Sequence, residues 1–274
     1  MNRPLLYVAA LVAYDGTDFH GFQLQPNAPT VQAALETALQ ICSGEVCRVV
    51  ASGRTDTGVH ANGQVIAVQV PWRHSLDDLQ RAWNAHLPPS VAVRKLRHAP
   101  ERFHPRFSAL HRTYRYTVFD QPHDKVVGPL PRHAPLIERF ALYLRQELDL
   151  AAMNVAAQHL LGEHDFATFG QPPQGEQTVR HLYQAEWQVV EMNLLPFDDY
   201  VGRQLVFTVT ANAFLRQMVR NLVGTLLAVG RKQWLPDAVK AALVAKDRHR
   251  CAPPAPPQGL VLEKVRYLTP FDLW

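Results

Sequence analysis

At 274 residues, with 47% hydrophobic and 19% charged positions, the chain has an ordinary globular composition and length enough for one large domain or two smaller ones. A formal net charge of +4, a pI of about 9.0 and 13 histidines permit a polyanionic partner without requiring one. Cys42, Cys47 and Cys251 have neither metal-ligand nor redox spacing. The apolar run from Pro4 to Tyr14 is too short for a membrane span and lacks a cleavage-site pattern, so a cytoplasmic protein with reduced thiols is expected.

Leu5 to Tyr14 reads as the first strand, turned by Asp15-Gly16-Thr17, with Phe19 to Gln23 a loop. Thr30 can cap a helix whose apolar stripe is Val31, Ala34, Leu35, Ala38, Leu39 and Cys42, closed by Gly44. Val46 to Val50 reads as a short β-branched strand and Gln64 to Val70 as a buried one, flanking the loop Ala51 to Gly63. Ser75 and Asp78 resemble a capping box ahead of Leu76, Leu79 and Trp83. Pro88-Pro89 ends that helix, and Val91 to Val93 begins another strand.

From Arg94 to Tyr116 the chain turns basic: Arg94, Lys95, Arg97, Arg102, Arg106, Arg112 and Arg115 face the single acid Glu101, and Tyr114 and Tyr116 alternate with cations along a strand from Thr113 to Phe119. Cations meet phosphates and flat rings stack on unpaired bases, so the stretch suits a nucleic acid, although composition alone slightly favours a solvated strand edge with two core tyrosines. A boundary near Ser108 divides the chain into halves 1–107 and 108–274, with a proline-rich crossover over 120–135. In the second half, Leu136 to Leu148 and Asp149 to Leu161 have helical spacing, with Gly162 as a cap, and His164 to Gln174 is irregular. Val179 to Val190 and Leu205 to Thr210 read as strands. Asn212 is expected to cap a helix with its stripe at Phe214, Leu215, Met218, Val219, Leu222 and Leu226, ending at Gly230. No acid lies between Asp199 and Asp237 while five cations do, and the spacing puts Arg216 and Arg220 on one helical face. Val239, Ala242 and Leu243 mark a further helix, and a Pro-rich loop precedes a last strand over 259–267.

The chemistry concentrates in the loop 51–63. Glycines at 53, 58 and 63 permit turns and close backbone approach, and Arg54 sits two residues from Asp56, the only acid there. A neighbouring cation favours an ionised carboxylate, which can serve as nucleophile or base; an aspartate that merely shapes a turn is the other reading. There is no phosphate-binding glycine loop, dinucleotide fingerprint, metal-ligand spacing or Gly-x-Ser-x-Gly elbow, so any reaction is expected to need no cofactor and no metal.

Gly53-Arg-Thr-Asp-Thr-Gly-Val-His60 closely resembles the catalytic loop of the tRNA pseudouridine synthase A family. Other segments of that family are resembled, in its order, by Tyr14 to Gln23, Thr30 to Gln32, Phe103 to Ala109 leading into Thr113 to Tyr116, Leu161 to Phe166, and the pair Ala211 to Phe214 and Met218 to Gly224. Phe22 stands where Trp is usual, and Leu24 where a basic or polar residue often sits. The resemblance implies an α+β pseudouridine synthase fold of two fused ferredoxin-like halves sharing one mainly antiparallel sheet, in a homodimer acting on tRNA at uridines 38, 39 and 40. It implies that Asp56 is the catalytic aspartate, that Tyr114 packs on the target uracil, and that Arg220 pairs with Asp56, with Arg54 beside it. Arg97, Arg106, Arg112 and Arg216 are assigned to RNA phosphates. Two other classes stand against this reading. An RNA-binding module of two halves would leave the Arg54–Asp56 loop idle, and a glycosidic hydrolase would need a second carboxylate, for which Asp15 and Asp18 look more like turn residues.

Overall fold

The computed structural model describes residues 4–121, 132–172, 175, 177–191 and 202–274. Most of the crossover expected over 120–135, and the end of the irregular run reaching Gln174, lie outside them. The fold is α+β with mainly antiparallel strands, in two compact units: the chain up to Arg112 together with Val261–Trp274, and Thr113–Leu260. Among the described residues no helix is long and apolar enough to cross a membrane.

In the first unit β1 (Leu5–Tyr14) lies between β4 (Val91–His98) and β3 (His60–Pro71), antiparallel to both, and β10 (Leu260–Tyr267) runs parallel beside β3 through Val261↔His60 and Leu262↔Ala61. Nearly all of β3 is buried, as its continuous apolar run requires. Helix α1 (Val31–Ser43) begins where Thr30 Oγ1 accepts the Ala33 N–H and ends at Gly44 in the left-handed region, φ 79°. Helix α2 (Leu76–His86) starts on Ser75, whose hydroxyl accepts the Asp78 N–H and donates to the Asp78 carboxylate. The Trp83 indole, fully buried, donates to the Leu35 carbonyl and joins the two helices. The strand expected over 46–50 shrinks to β2 (Val50–Ala51), because a helix side chain replaces the strand partner: Glu36, itself held by Arg48, accepts the Val49 N–H.

In the second unit β5 (Ala109–Asp120), β9 (Arg203–Ala211), β8 (Val179–Val190) and β7 (Gly162–Asp165) lie in that order. The helix expected over 136–148 is instead the single turn α3 (Pro135–Glu138) followed by β6 (Leu142–Leu144), which pairs parallel with β5 from Val118↔Leu142 to Asp120↔Leu144. Sheet pairing here overrides the helical spacing of the apolar residues. Asp149 caps α4 (Leu150–Gln158) through the Ala152 N–H; Gly162 does not cap it but opens β7 at φ 91°, so His164 and Asp165 are strand rather than irregular. Asn212 caps no helix either. Its Oδ1 accepts the His181 and Ala213 N–H groups and shapes a loop, and Gln217, at φ 60°, delays α5 (Met218–Gly230). The expected shared helical face of Arg216 and Arg220 is therefore absent: Arg216 precedes the helix, and its N–H bonds to Gln171 O. α6 (Asp237–Ala245) follows as expected. Arg203, part of the second basic stretch, is committed internally to Asp120 and Glu147.

Candidate active site

The loop between β2 and β3 is built on buried side chains of the first unit. Gln64, fully buried in β3, accepts from Ser52 Oγ at 2.7 Å and donates through Nε2 to Gly53 O at 2.9 Å. The same amide reaches the Tyr14 hydroxyl at 3.4 Å, and that hydroxyl lies 2.8 Å from Thr55 Oγ1. Burial pushes the Tyr14 phenol up to about 12, so it keeps its proton and can donate to Thr55. Thr55 O accepts the Phe22 N–H, Phe19 O accepts the Gly58 N–H, and Asp56 O accepts the Val59 N–H. Every one of these bonds holds the backbone on either side of Asp56.

The segment after β1 closes the frame. The Gly16 N–H donates to His60 Nδ1 at 3.0 Å, and Asp15 Oδ1, 3.1 Å from the same nitrogen, accepts Thr17 N–H and Oγ1–H. Asp15 thus serves the turn, as expected, and His60 is a buried structural residue. A Cβ at Gly16 would fall 2.0 Å from Val59 O, so only glycine lets this turn lie against the loop. Gly58 turns the loop at φ 74°, whereas a Cβ at Gly53 would meet nothing within 4 Å, so that glycine answers to neither demand. Gly16→Ala is accordingly expected to fold, because the clash falls on a loop, but to lose about 10²-fold in turnover as the Val59 backbone shifts. Activity per mole of protein, with circular dichroism as the fold control, checks this; wild-type turnover would show that the loop tolerates the shift.

Asp56 is half-buried and Arg54 exposed on this loop. Arg112, at the end of the first unit, donates through Nη2 to Ser52 O at 3.1 Å and Arg106 O at 2.7 Å, tying the loop to the segment around Arg106. Arg97 on β4 and Arg106 are exposed. In the second unit Tyr114 is half-buried on β5, edge-on to Phe214 with centroids 5.1 Å apart, whereas Tyr116 is a core residue donating to Pro256 O. Arg220 donates through Nε to Ala255 O at 2.7 Å and takes the Ala255 N–H on its own carbonyl, which fastens α5 to the Pro-rich loop; Arg216 is exposed. Sequence reasoning did not single out Gln64, Tyr14 and Thr55 as supports. The available signal was a glutamine inside an apolar strand, which must find buried partners. Among the described residues no three His, Cys, Asp or Glu side chains gather as metal ligands.

A tRNA pseudouridine synthase family model matches residues 10–108 and 156–268, including the whole loop and its frame. Proteins named tRNA pseudouridine synthase A are similar over almost their entire lengths. The protein from Chloroflexus aurantiacus is 43% identical over 97% of this chain and 91% of its own. The one from Burkholderia multivorans is 40% identical over 96% and 91%, and that from Thermotoga neapolitana 38% over 95% and 99%. A loop framed by buried partners, and matches that run through both units, together place this chain in the tRNA pseudouridine synthase family.

Proposed function

We propose that the protein isomerises uridine to pseudouridine at positions 38, 39 and 40 in the anticodon stem-loop of tRNA, with Asp56 as the nucleophile on a flipped-out uridine. The observation that carries the reading is Asp56 itself: the only acid of its loop, half-buried, on backbone held from both sides by Thr55, Gly58 and Val59. Such fixation suits a group that must meet one atom of a substrate. Membership in an isomerase family fixes the class of reaction; the site on tRNA and the roles below rest on the matching segments.

The reaction breaks the N1–C1′ bond, turns the uracil and joins C5 to C1′; the C5 hydrogen leaves as a proton to water and N1 takes up a proton. Substrate and product have the same atoms and the same oxidation level, so no redox partner enters the balance. A stacked base is out of reach and must be extruded, at a cost of a few kcal/mol. Tyr114 packs on the extruded uracil, where an aromatic ring contributes about 1–3 kcal/mol. Asp56 attacks either C1′ or uracil C6, Arg220 pairs with its carboxylate, and Arg54 stands beside it. Arg97, Arg106 and Arg216 meet phosphates, with Arg112 holding the adjoining backbone, and the enzyme works as a homodimer in the cytoplasm.

The experiment follows the C5 hydrogen. tRNA carrying tritium at C5 of uridine should release label to water on turnover, with the chain intact and no free uracil. Changing U38, U39 and U40 together to cytidine should abolish the release. Labelled free uracil would mean a hydrolase, and no release from a fully bound tRNA would mean a binding module; either overturns the assignment.

A further inference from the structure

Within the first unit, one short segment carries two phenylalanines four residues apart with opposite fates: Phe103 is 2% exposed and Phe107 is 76% exposed. The segment is held firmly from below. Tyr7 donates to Phe103 O, Tyr267 donates to Pro105 O at 2.8 Å, and the Phe103 ring packs against Tyr267 and Phe271 with centroids 5.3 and 5.8 Å away. Its top is organised around His104, whose Nδ1 accepts the N–H groups of Arg106 and Phe107 while its N–H and carbonyl engage Ser108. These bonds bring the imidazole against the Phe107 ring, centroids 4.3 Å apart and planes 32° from parallel, with the Arg106 guanidinium carbon 5.5 Å from the ring centroid. A lone exposed apolar residue needs no explanation. A large ring kept outward on a fixed turn, stacked on an imidazole and beside a cation, is a different object, because Phe103 and two tyrosine hydroxyls already anchor the turn from below.

On this basis we infer that Phe107 is a stacking platform for an unpaired base of the substrate RNA, apart from the uridine that reacts. The inference rests on the functional reading above and deepens it. Three features select this occupant. The ring has a π-face that any base can cover, and Arg106 next to it supplies charge for the adjoining phosphate. Arg112 then links the platform to chemistry, since one guanidinium nitrogen bonds both Arg106 O and Ser52 O at the foot of the catalytic loop. A base seated on Phe107 therefore positions its strand against a loop mechanically joined to the one carrying Asp56. A ring already fixed in place adds affinity without further ordering cost.

The test measures binding of an unmodified tRNA transcript with uridines at 38, 39 and 40 to the full chain. Phe107→Ala and Phe107→Leu should each weaken affinity by about tenfold or more, because stacking and not mere apolar contact is lost, while Phe107→Tyr should stay within about twofold of wild type. The slope of log affinity against log salt should not change in any of them, because no phosphate contact is removed. Wild-type affinity in Phe107→Leu overturns the inference. So does a loss accompanied by a flattened salt slope, which would assign it to a phosphate contact, or by a fall in melting temperature, which would assign the ring to packing of the turn. Wild-type turnover on the same transcript is scored separately by tritium release, so failure of the functional reading is recognised without these variants.

Discussion

Asp56→Asn is expected to fold normally and bind tRNA with near-unchanged affinity while forming no detectable pseudouridine, a loss of at least about 10³-fold. The amide has almost the shape of the carboxylate, so substrate fit is retained and only charge and nucleophilicity go. The loop should keep its place, because backbone bonds and other side chains hold it: Asp56 O receives the Val59 N–H, and the neighbouring Thr55 O receives the Phe22 N–H. Beneath them Gln64 binds Gly53 O and Tyr14 meets Thr55, and the substitution changes none of these groups. Pseudouridine in nuclease-digested tRNA, a binding isotherm and a melting curve check the three parts. Substantial turnover by the variant would remove Asp56 from the mechanism, whereas lost binding would make its role one of holding RNA.

The second large effect concerns the interior of the second unit and leaves the chemistry aside. Asp120→Ala should lower the stability of that unit by about 3–5 kcal/mol. The Asp120 carboxylate is fully buried and takes Arg203 Nε at 3.0 Å, Arg203 Nη2 at 2.5 Å and the Leu148 N–H at 2.8 Å. Arg203 also bonds Leu148 O and pairs with Glu147. The Asp120 hydrogen bond raises the Arg203 pKa above its ordinary value, and a guanidinium stays protonated in a protein even without such help, so Arg203 remains charged when that partner goes. Truncation takes the buried carboxylate from a partly buried guanidinium and orphans the Leu148 N–H, and each loss is costly. The pair as such adds little net stability, so Asp120→Leu combined with Arg203→Met should recover most of the loss. Urea unfolding followed in both variants decides this. A single-variant loss below about 1 kcal/mol would mean that water reaches and serves the vacated site.

The elements legible in the sequence are those whose signals are local. Helix α1 announces itself at both ends, since Thr30 supplies the acceptor and Gly44 the left-handed turn, and α2 does the same through Ser75 and Asp78. β3 is legible from its apolar run and β8 from its length between turns. Helix and strand compete over 136–148, where the apolar spacing fits a helix. The choice falls to β6 because β5 offers hydrogen bonds from more than twenty residues away, a partner no local window contains. The start of α5 is hidden for a related reason, because Asn212 is drawn away from capping by the His181 N–H across the sheet.

The same division runs through the site. The loop, its lone acid Asp56, the cation beside it and the family are legible in the chain, because they are matters of residue type and spacing. Which residues hold that acid in place follows from the folded arrangement. Gln64, Tyr14, Thr55 and Gly16 reach the loop through hydrogen bonds and a backbone contact spanning up to about forty residues, set by how β1 and β3 pair. That arrangement likewise decided the fate of like residues, sending Tyr116 and Phe103 into the core while Tyr114 stays half-buried and Phe107 exposed, and drawing Val261–Trp274 back beside β3. The physical reason is common to all of these. Burial and hydrogen-bond partnership are properties of position in space, and residue type sets only what each position will tolerate.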